Sequence, residues 1–390
     1  AGHVDGGVTS NSLAVAVYRM MQNDTDFSVP RDRGMAGLNF AFIGRADQYH
    51  SPSSTAEALD RGSLQHIGSQ ALEVTDRLLR EETLPAAGPD RVYADLFGRT
   101  MIVMAAPWGW GIALLSVVLL ASAAFFSRTA LASLLRGAVD ALAFVAGAFV
   151  LVQAVRLAAG PMLSRVESAD VYYTLLERLP VMEIATGLAL FGAGLVFLAG
   201  ASGRLRMVWM AVVAVLGLLV QGLGGWEPVS AAMTVVALVA AVLVPPPAAS
   251  TWPRWLGLIA LVLVLGTLAQ AVLPEGSFLF LWPGLIASAA ATLVAGCGPV
   301  LRRPRTALIP ALVSALVGAW LLAMAHPVFL GLGMDLPGIT ALFALLWLSL
   351  AAPLGLMTPR APGAGPWAGL RILGLVLIVA AVAVSASAPV

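Results

Sequence analysis

Hydrophobic and polar positions divide the chain in two. Through residue 99, apolar residues alternate with charged ones in short stretches. Beyond it they gather into blocks close to the ~20 residues with which a helix crosses a bilayer. Roughly ten such blocks follow, at 106–126, 137–157, 181–200, 207–224, 229–244, 255–272, 278–295, 307–325, 338–356 and 367–384. The block at 229–244 is short, and Pro283 interrupts the one at 278–295. In the first part, SLAVAVYRMM predicts a short helix with Asn11 or Ser12 as its N-cap. Residues 26–33 predict a turn or short helix, and the apolar run at 38–43 predicts one buried strand. Leu64, Ile67, Ala71, Val74 and Leu78 fall on one face of a helix over 63–80, a face expected to be buried. The expected fold is thus a partial α/β segment over 1–99, followed by an all-α polytopic transmembrane domain of roughly ten helices over 100–390.

Arginines set the expected orientation. Arg128 and Arg136, Arg204 and Arg206, Arg254, Arg302, Arg303 and Arg305, then Arg360 and Arg371 all fall in alternate turns. Of the turns between, GGWEP, LPEGS and HPVFLGLGMDLPG contain no arginine. The remaining one, from Arg156 to Pro180, is long and of mixed charge, and long loops follow charge bias poorly. Cytoplasmic loops are enriched in basic residues, so this alternation places residues 1–99 on the non-cytoplasmic side. Trp108, Trp110, Trp226, Trp252, Trp255 and Trp367 lie near block ends, where an aromatic belt meets the interface.

Composition sharpens this reading. The chain has 390 residues, 59% hydrophobic and 11% charged, so most of it is expected to face lipid. A net charge of +1 argues against a nucleic-acid partner. All the basic residues are arginine; with abundant Ala, Val and Gly this suggests a GC-rich bacterial genome and an inner-membrane protein with a periplasmic segment. The single Cys297 cannot form an internal disulfide.

Candidate chemistry gathers between residues 23 and 80. NDTDFSVPRDRGMAGLNFAF leads into GRADQYHSPSST and then STAEALDRGSLQHIGSQALEVTDRLL. The order is an acidic Asp-Phe motif, a Gly-containing turn, an apolar run, Tyr-His-Ser-Pro, and an amphipathic helix after Leu-Asp. It resembles the C-terminal third of the catalytic domain of the di-zinc aminopeptidases, metallopeptidase family twenty-eight, which also takes in the glutaminyl cyclases. The resemblance is to the membrane-embedded branch of vacuolar-membrane and endoplasmic-reticulum proteases. It runs from about Ser12 to Leu79, with looser similarity in RVYADLFGR.

The resemblance implies His50 as the last zinc ligand in chain order, Asp24 and Asp26 near the metal centre and the substrate amine, and Tyr49 as a donor to a developing oxyanion. Ser54 stands where the family commonly has an acidic residue. The remaining zinc donors precede this region in the family, and His3 and Asp5 do not sit in its ligand motif. The chain is therefore expected to be an inactive fragment of a two-zinc aminopeptidase that acts on peptides. The alternative is a non-catalytic scaffold or transporter-like protein carrying a degenerate peptidase remnant; glutaminyl cyclisation and the oligomeric state stay open. His66, His326, Asp140, Gln153, Glu183, Gln221 and Gln270 are further polar positions, expected to be structural or interfacial.

Overall fold

The computed structural model describes residues 7–20, 26–35, 37–42, 44, 48, 52–83, 88–162, 165–166, 168–200, 203–243, 251–301, 308–357 and 366–387. The chain forms two compact units, Ala1–Ala113 with Gly266–Leu281, and Leu114–Leu265 with Trp282–Val390.

The first unit carries α1 (Ser12–Met20), α2 (Ser28–Asp32) and α3 (Arg61–Arg80), then the hairpin of β1 (Arg91–Leu96) and β2 (Thr100–Ala105). Asn11 Oδ1 accepts from Ala14 N at 2.8 Å and caps α1, as its side chain suits it to do. Asp60 caps α3 in the same way, accepting from Ser63 N at 2.7 Å. The strands pair antiparallel, Arg91 opposite Ala105 and Leu96 opposite Thr100. Between them Phe97 and Gly98 turn the chain with φ of 55° and 71°. Asp95 fixes that turn by accepting from Gly98 N at 2.8 Å and from Ser10 N at 3.1 Å. Val92 and Ala94 are buried on the inner face.

Two expectations for this unit are corrected. Residues 38–42 form no strand and are exposed, Leu38 by 60% and Phe42 by 53%. A strand needs a neighbour to accept its ladder, and among the described residues the only sheet is β1–β2. The α3 helix forms where its period predicts, but none of its residues is buried, and Leu64 is 50% exposed.

Apolar helices make up the rest: α4 (Trp108–Phe126), α5 (Leu131–Leu157), the short α6 (Ala169–Glu177), α7 (Leu179–Ala199), α8 (Gly203–Gly224), α9 (Pro228–Leu243), α10 (Thr251–Val272), α11 (Phe278–Leu301), α12 (Leu308–Leu332), α13 (Ala341–Met357) and α14 (Pro366–Ala386). Among the described residues each predicted block falls in one of them to within two residues, or, at 338–356, in α13 and the 3-10 turn Pro337–Thr340. Among the described residues eight are long and apolar enough to cross a membrane, while Pro228–Leu243 and Pro337–Ala352 are shorter. In the second unit α5 is the hub: 72% of its apolar stretch is buried, against 17% for α14. Ala146 and Val150 of α5 pack on Val213 of α8 and Ala237 of α9.

Candidate functional site

Of the residues assigned from sequence, Asp24, Tyr49 and His50 lie outside the described residues. Asp26 is exposed in the turn that leads into α2, whose first residue, Ser28, is buried. Ser54 is exposed as well. Among the described residues no three His, Cys, Asp or Glu side chains come together as a metal site.

His66 has a structural place. On α3 its Nε2 lies 2.7 Å from Gln70 Nε2, one turn along. Gln70 also donates to Gly7 O at 3.1 Å. With Gln70 donating to the ring, the Nε2 lone pair of His66 is occupied and the two side chains tie α3 to the backbone at Gly7. Further along α3, Arg80 donates to both oxygens of Asp76, at 2.8 and 2.9 Å. Hydrogen bonding to Arg80 holds the Asp76 carboxyl below its ordinary range.

In the apolar helices the polar positions are distributed among helix ends. Asp140 of α5 accepts from Arg254 Nε of α10 at 2.9 Å, each side chain only 16% exposed. Arg254 also donates to Phe197 O at 2.9 Å and stacks 4.5 Å over the Phe197 ring. Arg371 of α14 donates to Ala199 O at 3.0 Å. At the other end of α5, Gln153 donates to Asp335 O at 3.2 Å, and Arg156 to Met334 O and Gly160 O, both at 2.7 Å. These bonds fasten the turn after α12 to α5. Gln221 exchanges two bonds of 3.0 Å with the backbone of Glu227, and Glu227 caps α9 through Ser230 N at 2.6 Å. Gln270 donates to Ala106 O at 2.9 Å and accepts from Ser277 at 2.7 Å. Asp140, Gln153, Gln221 and Gln270 all read as structural, as expected.

Glu183 is different. It accepts from or shares a proton with His326 Nδ1 at 2.8 Å across 143 residues, and both line a cleft. Neither the distance in sequence nor the residue types signal that pairing. One belt residue is also reassigned: Trp255 is 2% exposed and donates to Ser349 O at 2.7 Å, so it is packing between helices rather than an interfacial anchor. Trp108 and Trp226, exposed by 68% and 80%, keep the interfacial role open to them. The side chains of Cys297 and Trp367 lie outside the described residues.

Residues 6–75 match the family model for Peptidase family M28. A Caenorhabditis elegans protein named as an endoplasmic reticulum metallopeptidase (1-B) is 33% identical over 114 residues, covering 27% of this chain and 13% of that relative. A vacuolar membrane protease of Eremothecium gossypii is 31% identical over 83 residues, covering 21% of this chain and 8% of its own. The chain thus spans only a small part of either relative. Both are eukaryotic and lend no support to the bacterial inner membrane inferred from composition. No solved structure matches the chain.

Proposed function

We propose, on the premise that residues 6–75 belong to peptidase family M28 in its membrane branch, that this chain serves a membrane-bound zinc aminopeptidase. The family match over that segment carries the reading, and the helices able to span a membrane agree with it. The described residues assemble no ligand set for zinc, so the fit of the metal is not carried by them. His50 is the residue of this chain assigned to a metal, with two zinc ions expected in the whole protein. Asp24 and Asp26 are assigned to the free amine of the peptide substrate, and Tyr49 to the oxygen that gains charge as the peptide bond is attacked. The remaining zinc ligands are assigned to sequence other than residues 1–390, so those residues alone are expected to bind zinc weakly and cleave nothing. The N-terminal segment is assigned to the non-cytoplasmic side.

Zinc content and aminopeptidase rate of the whole protein, measured with and without His50→Ala, test this. Losing a direct ligand is expected to cost at least the ~100-fold that outer-shell changes can cost. Full metal content and activity in that variant would remove His50 from the site. Ser54, a hydroxyl where the family commonly has a carboxylate, favours the second reading, a non-catalytic membrane scaffold. Zinc bound without peptide cleavage by the whole protein would select it.

A further inference from the structure

The second unit holds a cleft that the peptidase reading does not use. It lies between α7, α12 and α13 and encloses about 450 Å³. Apolar side chains, Phe191, Leu322 and Trp347 among them, line most of its length. Glu183 and His326 stand at one end, Gly194 and Ser314 at the other. From His326 to Ser314, α12 advances 326 − 314 = 12 residues, about 18 Å at 1.5 Å per residue.

The lining selects the occupant. An extended peptide would bring backbone N–H and C=O groups against walls that are mostly apolar, where an unmet polar group is costly. The hydroxyls of Ser314 and Thr340 are already given to Leu350 O and Pro337 O. A polymethylene chain has no such groups to satisfy. A zigzag of carbon–carbon bonds of about 1.5 Å covers the length in roughly a dozen to fourteen carbons.

The two ends differ in chemistry. At the far end Ser314 donates its hydroxyl to Leu350 O at 2.7 Å, so that end presents an apolar surface. At the near end the Glu183–His326 hydrogen bond uses one carboxylate oxygen and one ring nitrogen. A carboxylate has lone pairs for more than one donor, so Glu183 can also take a hydroxyl or ammonium. Glu183 stands four residues (183 − 179), about 6 Å, after the start of α7, and His326 six residues (332 − 326), about 9 Å, before the end of α12. An ionisable pair that near the ends of two membrane helices stands where a polar head would meet its apolar tail.

We propose that this cleft binds one acyl chain of a bilayer amphiphile, with a hydroxyl or ammonium head at Glu183 and His326 and the tail running toward Ser314. The proposal does not depend on peptidase activity, and its test reads binding alone.

Trp347 lines the cleft and serves as reporter. The full chain in nanodiscs is titrated with a monoacylglycerol brominated in mid-chain, whose bromines quench tryptophan on contact. Saturable quenching is expected, and Trp347→Phe should remove most of the saturable part. A side chain at Gly187 would enter open cleft, since an added Cβ meets nothing within 4 Å. Gly187→Leu should therefore weaken binding at least about tenfold, while Gly187→Ala keeps it and circular dichroism shows both variants folded. The matching brominated methyl ester, which has no donor in its head, should bind at least about tenfold more weakly than the monoacylglycerol. No saturable quenching in the parent, or quenching unchanged in folded Gly187→Leu or in Trp347→Phe, overturns the site. Equal binding of the ester overturns the head-group assignment.

Discussion

Asp140 and Arg254 lie 114 residues apart in sequence and meet at 2.9 Å, both largely withdrawn from solvent. Breaking a buried pair by removing one partner leaves the other charge uncompensated, which costs about 3 kcal/mol or more. Asp140→Asn is therefore expected to lower the thermal midpoint of the detergent-solubilised protein by several degrees. Neutralising both, Asp140→Asn with Arg254→Gln, should recover part of that loss, and a double variant worse than the sum of the singles would refute the pairing. Arg19 and Asp90, 3.2 Å apart but 52% and 60% exposed, form the opposite case. Asp90→Asn should change stability by no more than about 1 kcal/mol, because solvent screens that pair. Sequence showed Arg136 one helical turn from Asp140, and local reading favours such a neighbour. The partner that the fold supplies comes from another helix, and no local pattern marks it. The same holds for Glu183 and His326.

Elements were legible where their cause is local. Apolar blocks long enough for a span became helices because a helix satisfies its own backbone within one segment. Residues 38–43 carry as apolar a pattern, yet a strand depends on a partner elsewhere, and 38–42 have none among the described residues. The hairpin at Arg91–Ala105 was signalled by alternation at Val92 and Ala94 before Phe-Gly. So short a signal is outweighed by the long apolar block that follows. Helix-to-helix contact lies between these cases: GLALFGAG, at residues 187–194, predicts close packing, and one of its glycines provides it. A Cβ on Gly192 of α7 would fall 2.5 Å from Gly374 O, and one on Gly374 of α14 would fall 2.6 Å from Gly192 O. The two backbones touch there as small residues allow. Gly374→Leu should force α14 off α7 and cost about 1–3 kcal/mol, read as a lower midpoint and faster proteolysis. Gly369→Leu, on the same helix with nothing within 4 Å of an added Cβ, should change neither.

At the scale of the whole molecule, the sense in which each helix runs follows from which ends meet. In the second unit Arg254, at the start of α10, bonds the end of α7 at Phe197, and Arg371, at the start of α14, bonds that same end at Ala199. Asp140, near the start of α5, joins them through Arg254. The end of α5 instead holds the turn after α12 through Gln153 and Arg156, and Gln153 reaches Ser230 at the start of α9 at 3.3 Å. Helix ends that the arginine alternation assigns to one side are therefore the ends that touch. In the first unit Ser12 donates to Glu275 O at 2.6 Å and accepts from Tyr93 N at 3.0 Å, so the N-terminal segment shares a side with the arginine-free turn after α10. Basic turns tend to stay cytoplasmic, so that shared side is expected to be the non-cytoplasmic one. The check uses intact cells, a Cys297→Ser background and a membrane-impermeant maleimide. Trp226→Cys, at a position 80% exposed in an arginine-free turn, should be labelled directly. Arg136→Cys should be labelled only after permeabilisation. The reverse order would put residues 6–75 on the cytoplasmic side and overturn the orientation.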